Sequence, residues 1–109
     1  MQFARWEVWW AYVEFEDRPE EGKIRPVLII NDKETYVFVL KMTSREQRES
    51  DPLDYAIKRW EHAKLDKPTT VRVGCLYQLQ YRSFVERIGR LHVSDIYEIQ
   101  KLIDKRRGK

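Results

Sequence analysis

Between Lys23 and Ile30 the chain reads Lys-Ile-Arg-Pro-Val-Leu-Ile-Ile, and this run constrains the fold more than any other segment. From Val27 to Ile30 every side chain is apolar and three of the four are β-branched, the pattern of a strand covered on both faces. Pro26 cannot donate to a ladder, so it belongs at the strand's first residues. Its ring biases Arg25 toward extended backbone. A planar, permanently charged guanidinium therefore stands on a fixed backbone at the rim of a core, a position suited to gripping a phosphate. A surface arginine that happens to precede proline would read the same way, and nothing inside the run separates the two.

The rest of the chain supplies partners for that strand. Trp6 to Phe15 is rich in aromatics and valine, with Trp6, Val8, Trp10 and Tyr12 on one face and Glu7, Trp9, Ala11, Val13 and Phe15 on the other. This is a long first strand, apolar on both faces. The charged stretch Glu16 to Lys23, with Pro19 and Gly22, reads as a loop. Asn31 to Thr35 is a turn, so Arg25–Ile30 and Tyr36–Met42 form a hairpin. If Ile30 opposes Tyr36, Arg25 opposes Lys41 and Lys23 opposes Thr43. Arg25, Thr43 and Ser44 then gather at one end of the sheet, and opposed residues share a face. Phosphate contacts are built from such groups, although Thr-Ser after a strand is also an ordinary turn signal.

Beyond the hairpin the pattern changes. Asp51-Pro52 reads as a helix cap with proline at the first helical position. A helix running toward Leu65 would place Leu53, Ile57 and Trp60 on one stripe. Thr69 to Val73 alternates like a strand, Leu76 to Leu79 suggests a further short strand, and Phe84 to His92 another near the core. Ser94 caps a final helix that turns Ile96, Ile99, Leu102 and Ile103 inward. The sum is a mainly β fold: a small antiparallel barrel with one inserted and one C-terminal helix, its closure managing the edges of many apolar strands.

Composition bounds the function. A chain of 109 residues with 42% hydrophobic side chains builds a single domain around one modest core. No apolar run is long enough to span a membrane, and Arg5 and Glu7 interrupt any leader at the start. Cys75 is the only cysteine, which excludes an internal disulfide, makes the cytoplasm the expected compartment, and leaves Cys75 as a small buried residue. Residues 1–54 carry a net charge of −4 and residues 55–109 a net +7. A basic half suggests a polyanionic partner, or simply a solubilising surface. Lys105 to Lys109 looks like a frayed basic tail. Two histidines and one cysteine show no metal-ligand spacing, and no glycine-rich phosphate loop is present.

Glu7-Val8-Trp9-Trp10, the Lys23–Ile30 strand and Met42-Thr43-Ser44, with their spacing, resemble the MazF/PemK family of toxin ribonucleases. The resemblance covers residues 6–44 and returns through Ile88-Gly89-Arg90-Leu91 and the last helix, whereas residues 45–68 are particular to this chain. It implies a small SH3-like barrel that forms a homodimer, cleaves single-stranded RNA at short sequences without a metal or other cofactor, and is neutralised by a cognate antitoxin. The family's arginine falls on Arg25 and its threonine on Thr43, with Ser44 beside it. Lys23, Arg18 and Lys41 are the cations expected to contact RNA, and Trp9 or Trp10 the ring expected to stack on a base. Some members carry an acid where this chain reads Leu76-Tyr77-Gln78-Leu79, so the general base is open. His62 and His92 are candidates by residue type, with Glu14, Glu16 and Asp17 behind them. Two other readings stay in play: a non-catalytic barrel that binds nucleic acid or protein, and a poison of another target such as a topoisomerase.

Overall fold

The computed structural model describes residues 2–14, 22–44 and 51–108. Six antiparallel strands form one sheet: β1 (Glu7–Val13), β2 (Lys23–Asp32), β3 (Tyr36–Thr43), β4 (Asp54–Ala56), β5 (Thr70–Gln80) and β6 (Phe84–Arg90), followed by helix α1 (Val93–Arg106). The strand order is β4-β5-β3-β2-β1-β6. Among the described residues no ladder joins β4 to β6, so the expected barrel is an open sheet at that seam.

Both faces of the central strands are covered, as their apolar composition requires. On one face Val8, Leu28, Leu40, Met42, Val71 and Val73 pack beneath Ile99 of α1 and beneath Ile57, Ala63 and Leu65. On the other, Trp9, Ala11, Val13, Val27, Ile29, Val37 and Val39 pack against Phe3 and Phe84. Burying each such side chain is worth roughly 1.5–3 kcal/mol. Strict alternation along β1 and β3 thus feeds two small cores.

The hairpin register differs from the expected one by two residues. Val27 opposes Lys41 and Leu28 opposes Leu40, with a bulge between Ile29 and Asn31. The strand does not stop at Ile30, because Asp32 makes the turn: its Oδ1 accepts the Glu34 N–H at 2.8 Å, Glu34 adopts φ 72°, and Lys33 N–H donates to the Tyr36 carbonyl at 2.9 Å. An Asx turn so placed carries β2 two residues further than apolar content alone implies. A two-residue shift preserves face, so the shared side of Arg25, Lys41 and Thr43 survives.

The helix expected from Asp51 toward Leu65 is absent. Asp51 Oδ1 does accept the Leu53 N–H at 2.9 Å, but the local bond closes a turn, after which Asp54–Ala56 pairs with β5. Asp95, in the first turn of α1, decides the outcome. Its fully buried carboxylate accepts the Tyr55 hydroxyl at 2.6 Å and the Lys58 and Arg59 N–H groups at 3.0 Å each. A carboxylate that bonds two successive amides holds them out of a helical ladder. Burial and the Asp95 carboxylate push the Tyr55 phenol up, keeping it the donor.

Three smaller differences follow from tertiary pairing. Thr70–Gln80 is one strand, not two; between Leu76, opposite Leu40, and Arg72, opposite Lys41, it absorbs extra residues around Gly74. His92, not Ser94, caps α1: its Nδ1 accepts the Ser94 N–H at 3.0 Å. Gly89 is required by contact, since a Cβ there would stand 2.2 Å from the Ala63 carbonyl oxygen. Helix α1 runs to Arg106, taking in the first residues of the basic tail.

Candidate functional site

Arg25 is positioned from both sides. On β1 it opposes Ala11, and Pro26 opposes Trp10. The β2–β3 ladder begins at Val27, immediately after Pro26, and extending it by two residues brings Arg25 level with Thr43. The pairing expected between Lys23 and Thr43 is therefore replaced by a closer juxtaposition of the arginine with the threonine. Lys41 stands on the same face, one alternation along, and opposes Arg72 of β5.

These strand ends open into a cleft of about 280 Å³ lined by Trp10, Ile24, Arg25, Pro26, Met42, Thr43, Ser44, Leu65, Asp66, Lys67 and Thr69. Thr43 is only 8% exposed, so its hydroxyl sits on backbone that the sheet holds rigid, whereas Ser44 is exposed at the mouth. A shallow hollow lined by Val13, Arg25, Lys41 and Tyr77 adjoins the cleft. Beyond it lies a wider groove of about 630 Å³ whose walls include Tyr12, Glu14, Tyr77, Gln78, Gln80 and Arg82. Shared lining residues make these three depressions one continuous track, with Arg25 at the narrow point between cleft and hollow.

The charge along this track is mixed and predominantly positive. Arg25, Lys67 and Lys41 line it, and Arg82 stands at its far end. Arg72 is nearly enclosed at 12% side-chain exposure, with Nε 3.9 Å from the buried Asp54 carboxylate. The Asp54 carboxylate offsets that charge, and Arg72 lines none of the three depressions.

The expected site residues divide. Arg25, Thr43 and Ser44 come together in one cleft, and Trp10 joins them. Lys41 lines the adjoining hollow. Lys23 is exposed at the start of β2 and lines none of the three depressions. Trp9 lies on the same face of the sheet as Arg25 but lines none of the three depressions: it is 8% exposed, packs edge-on to Phe3 at 4.7 Å between centroids, and donates its indole N–H to Glu7 at 3.1 Å. Burial of that Glu7 carboxyl opposes its ionisation, yet bonds from Ala4, Trp9 and Arg87 outweigh the burial and hold it below the usual range. Arg18, Glu16 and Asp17 lie outside the described residues. His62 and His92 line none of the three depressions; their rings meet edge to face at 4.9 Å between centroids, and His92 is occupied as a helix cap.

Three lining residues, and Arg72 opposite Lys41, were not legible as such. Asp66 and Lys67 read as punctuation before Pro68, and Tyr77 and Arg72 as ordinary strand positions. The one available signal was parity: Arg72 alternates with the buried Val71 and Val73, so it had to face away from their core. Among the described residues no group of three or more His, Cys, Asp or Glu side chains is placed to hold a metal ion, and no helix is long and apolar enough to cross a membrane.

Compared with curated protein sequences, the chain finds no match. Solved structures resemble it closely in fold. MazF from Deinococcus radiodurans superposes with a TM-score of 0.76 at 16% identity, covering 100% of this chain and 99% of that one. An endoribonuclease in complex with its cognate antitoxin, from a mycobacterial species, gives 0.73 at 13% identity, covering 98% and 96%. The Mycobacterium tuberculosis toxin MazF-mt6 gives 0.66 at 20% identity, covering 91% and 93%. At these identities the likeness establishes the fold. The family model of PemK-like, MazF-like toxins of type II toxin–antitoxin systems matches residues 4–105, nearly the whole chain, and the protein belongs to that family.

Proposed function

We propose that this protein is a toxin endoribonuclease that cuts single-stranded RNA through attack of the substrate's own 2′-hydroxyl. The observation that carries the reading is the register that sets Arg25 level with Thr43, beside Ser44, in one cleft. RNA cleavage of this kind needs little covalent chemistry from the protein. It needs the 2′-oxygen oriented in line, the charge of the phosphorane stabilised, and two protons managed. Arg25 supplies a planar, two-pronged donor to the non-bridging oxygens. Thr43 and Ser44 hydroxyls hold the scissile phosphate in register. Trp10 offers a face to a base next to the cut, and Lys41 draws the neighbouring phosphates along the track.

The purified protein therefore cuts single-stranded RNA in excess chelator, leaving a 2′,3′-cyclic phosphate and a 5′-hydroxyl. A DNA strand, or a 2′-O-methyl group at the cut, blocks the reaction. RNA that binds in the cleft and survives intact would overturn the nuclease reading and favour a non-catalytic binding barrel. The regulator that fits this surface is a cognate antitoxin with an acidic, partly disordered segment, which orders as it docks over the cations. A homologous fold has been solved as an endoribonuclease bound to its antitoxin. The lone cysteine supports a cytoplasmic site of action.

A further inference from the structure

We propose that Asp66 is the proton acceptor for the substrate's 2′-hydroxyl; the assignment rests on the nuclease reading of the cleft. The chemistry requires a base within reach of Arg25 and Thr43. The strand segment Leu76 to Leu79 carries no carboxylate. His62 and His92 are engaged with one another away from the cleft. Asp54 is enclosed against Arg72, Asp95 is buried under three donors, and Glu14 lies in the far groove. Among the described residues, Asp66 is the carboxylate that lines the same cleft as Arg25, Thr43 and Ser44.

Its position is held from both sides. Upstream, Leu65 is buried in the core and its N–H bonds the Trp60 carbonyl at 3.1 Å. Lys64 takes φ 66° while its N–H bonds Glu61 at 3.0 Å. Downstream, the buried Thr69 turns its hydroxyl back onto the Lys67 carbonyl at 2.9 Å, and its own carbonyl receives the Ile57 N–H at 3.0 Å. Between these anchors Asp66 and Lys67 form a short exposed bend at the cleft. A base fixed this way loses little orientation when substrate arrives. The Lys67 ammonium beside it offsets the repulsion between a carboxylate and an incoming phosphate.

The step balances without a further reagent. The 2′-oxygen gives its proton to an Asp66 carboxylate oxygen and forms a bond to phosphorus, the bond from phosphorus to the 5′-oxygen breaks, and that oxygen takes a proton from water. Asp66 then returns its proton to solvent.

The test compares parent, Asp66→Asn and Asp66→Glu in single-turnover cleavage across pH, with affinity measured separately on a 2′-O-methyl strand. The expected result is a cleavage step slower by roughly 100-fold or more in Asp66→Asn, the scale of general-base loss, with affinity for the uncleavable strand equal to or tighter than the parent's. The rise of rate with pH on the acid side disappears in Asp66→Asn and persists in Asp66→Glu at reduced height. Should Asp66→Asn lose its fold by circular dichroism, the profile of Asp66→Glu decides: a flat acid side counts against the base. An active parent with Asp66→Asn cleaving equally fast, or losing affinity alone, overturns the assignment. A parent that cuts no RNA overturns the nuclease reading itself.

Discussion

Arg25 shows how far neighbours on either strand suffice to place a side chain in a candidate site. Extended backbone ahead of Pro26 fixes where its side chain starts, and the hairpin supplies the hydroxyl opposite. Arg25→Ala should slow cleavage by a factor of roughly 100 or more, the scale of one lost transition-state contact. Arg25→Lys should recover little, because a point charge cannot reproduce a planar fork. Single-turnover rates check both; an Arg25→Ala protein as fast as the parent would remove this rim from the chemistry. The two adjacent tryptophans should separate cleanly. Trp9→Ala opens a hole among Phe3, Phe84 and Val27 and should cost about 3–5 kcal/mol in a urea melt. Trp10→Ala should leave the melt nearly unchanged and weaken RNA binding by about 1–3 kcal/mol, the worth of one stacked base.

At the scale of elements, the segment from Asp51 to Thr69 carries the site's second wall, and it is held by long-range contacts instead of its own periodicity. Asp95 is its anchor. Asp95→Ala strands the Lys58 and Arg59 N–H groups and the Tyr55 hydroxyl without their acceptor. A loss of about 3–5 kcal/mol is expected, as for other broken buried charge networks. Hydrogen exchange should localise the opening to residues 57–69 before the sheet yields; uniform exchange across β1–β3 at the same free energy would contradict this. Gly89→Ala acts on the same segment from the other side. A methyl group cannot pass the Ala63 carbonyl oxygen, so either β6 or the turn must move, at about 1–3 kcal/mol.

For the whole molecule, apolar surface remains in specific places. β1 is largely consumed by the two cores, so it leaves less for a partner than its composition implies; Tyr12 is 43% exposed, and Ile24, its cross-strand partner, 56%. Helix α1 leaves Val93 71% and Tyr97 64% exposed. A homodimer is the expected state, since such side chains outside a core mark interfaces. Light scattering over a dilution series checks it, and a monomer persisting at high micromolar concentration would refute it. The charge map also changes on folding. The sequence divides into an acidic and a basic half, yet the track takes Arg25 and Lys41 from the first and Lys67 and Arg82 from the second.

Local chemistry alone determined the strands at the centre of the sheet, the hairpin, the final helix and the face shared by Arg25 and Thr43, because period-two alternation and a proline act within a few residues. Family membership was legible for the same reason, from three short runs at fixed spacing. Only the tertiary structure decided the rest. Whether Asp51-Pro52 opens a helix depends on Asp95, more than forty residues away. Whether Trp9 or Trp10 faces the cleft depends on which side Phe3 and Phe84 cover. That Asp66 stands with Arg25 depends on where β3, β5 and the Leu65 anchor bring the chain together. These are long-range pairings, and no local pattern encodes a partner that lies across the sheet.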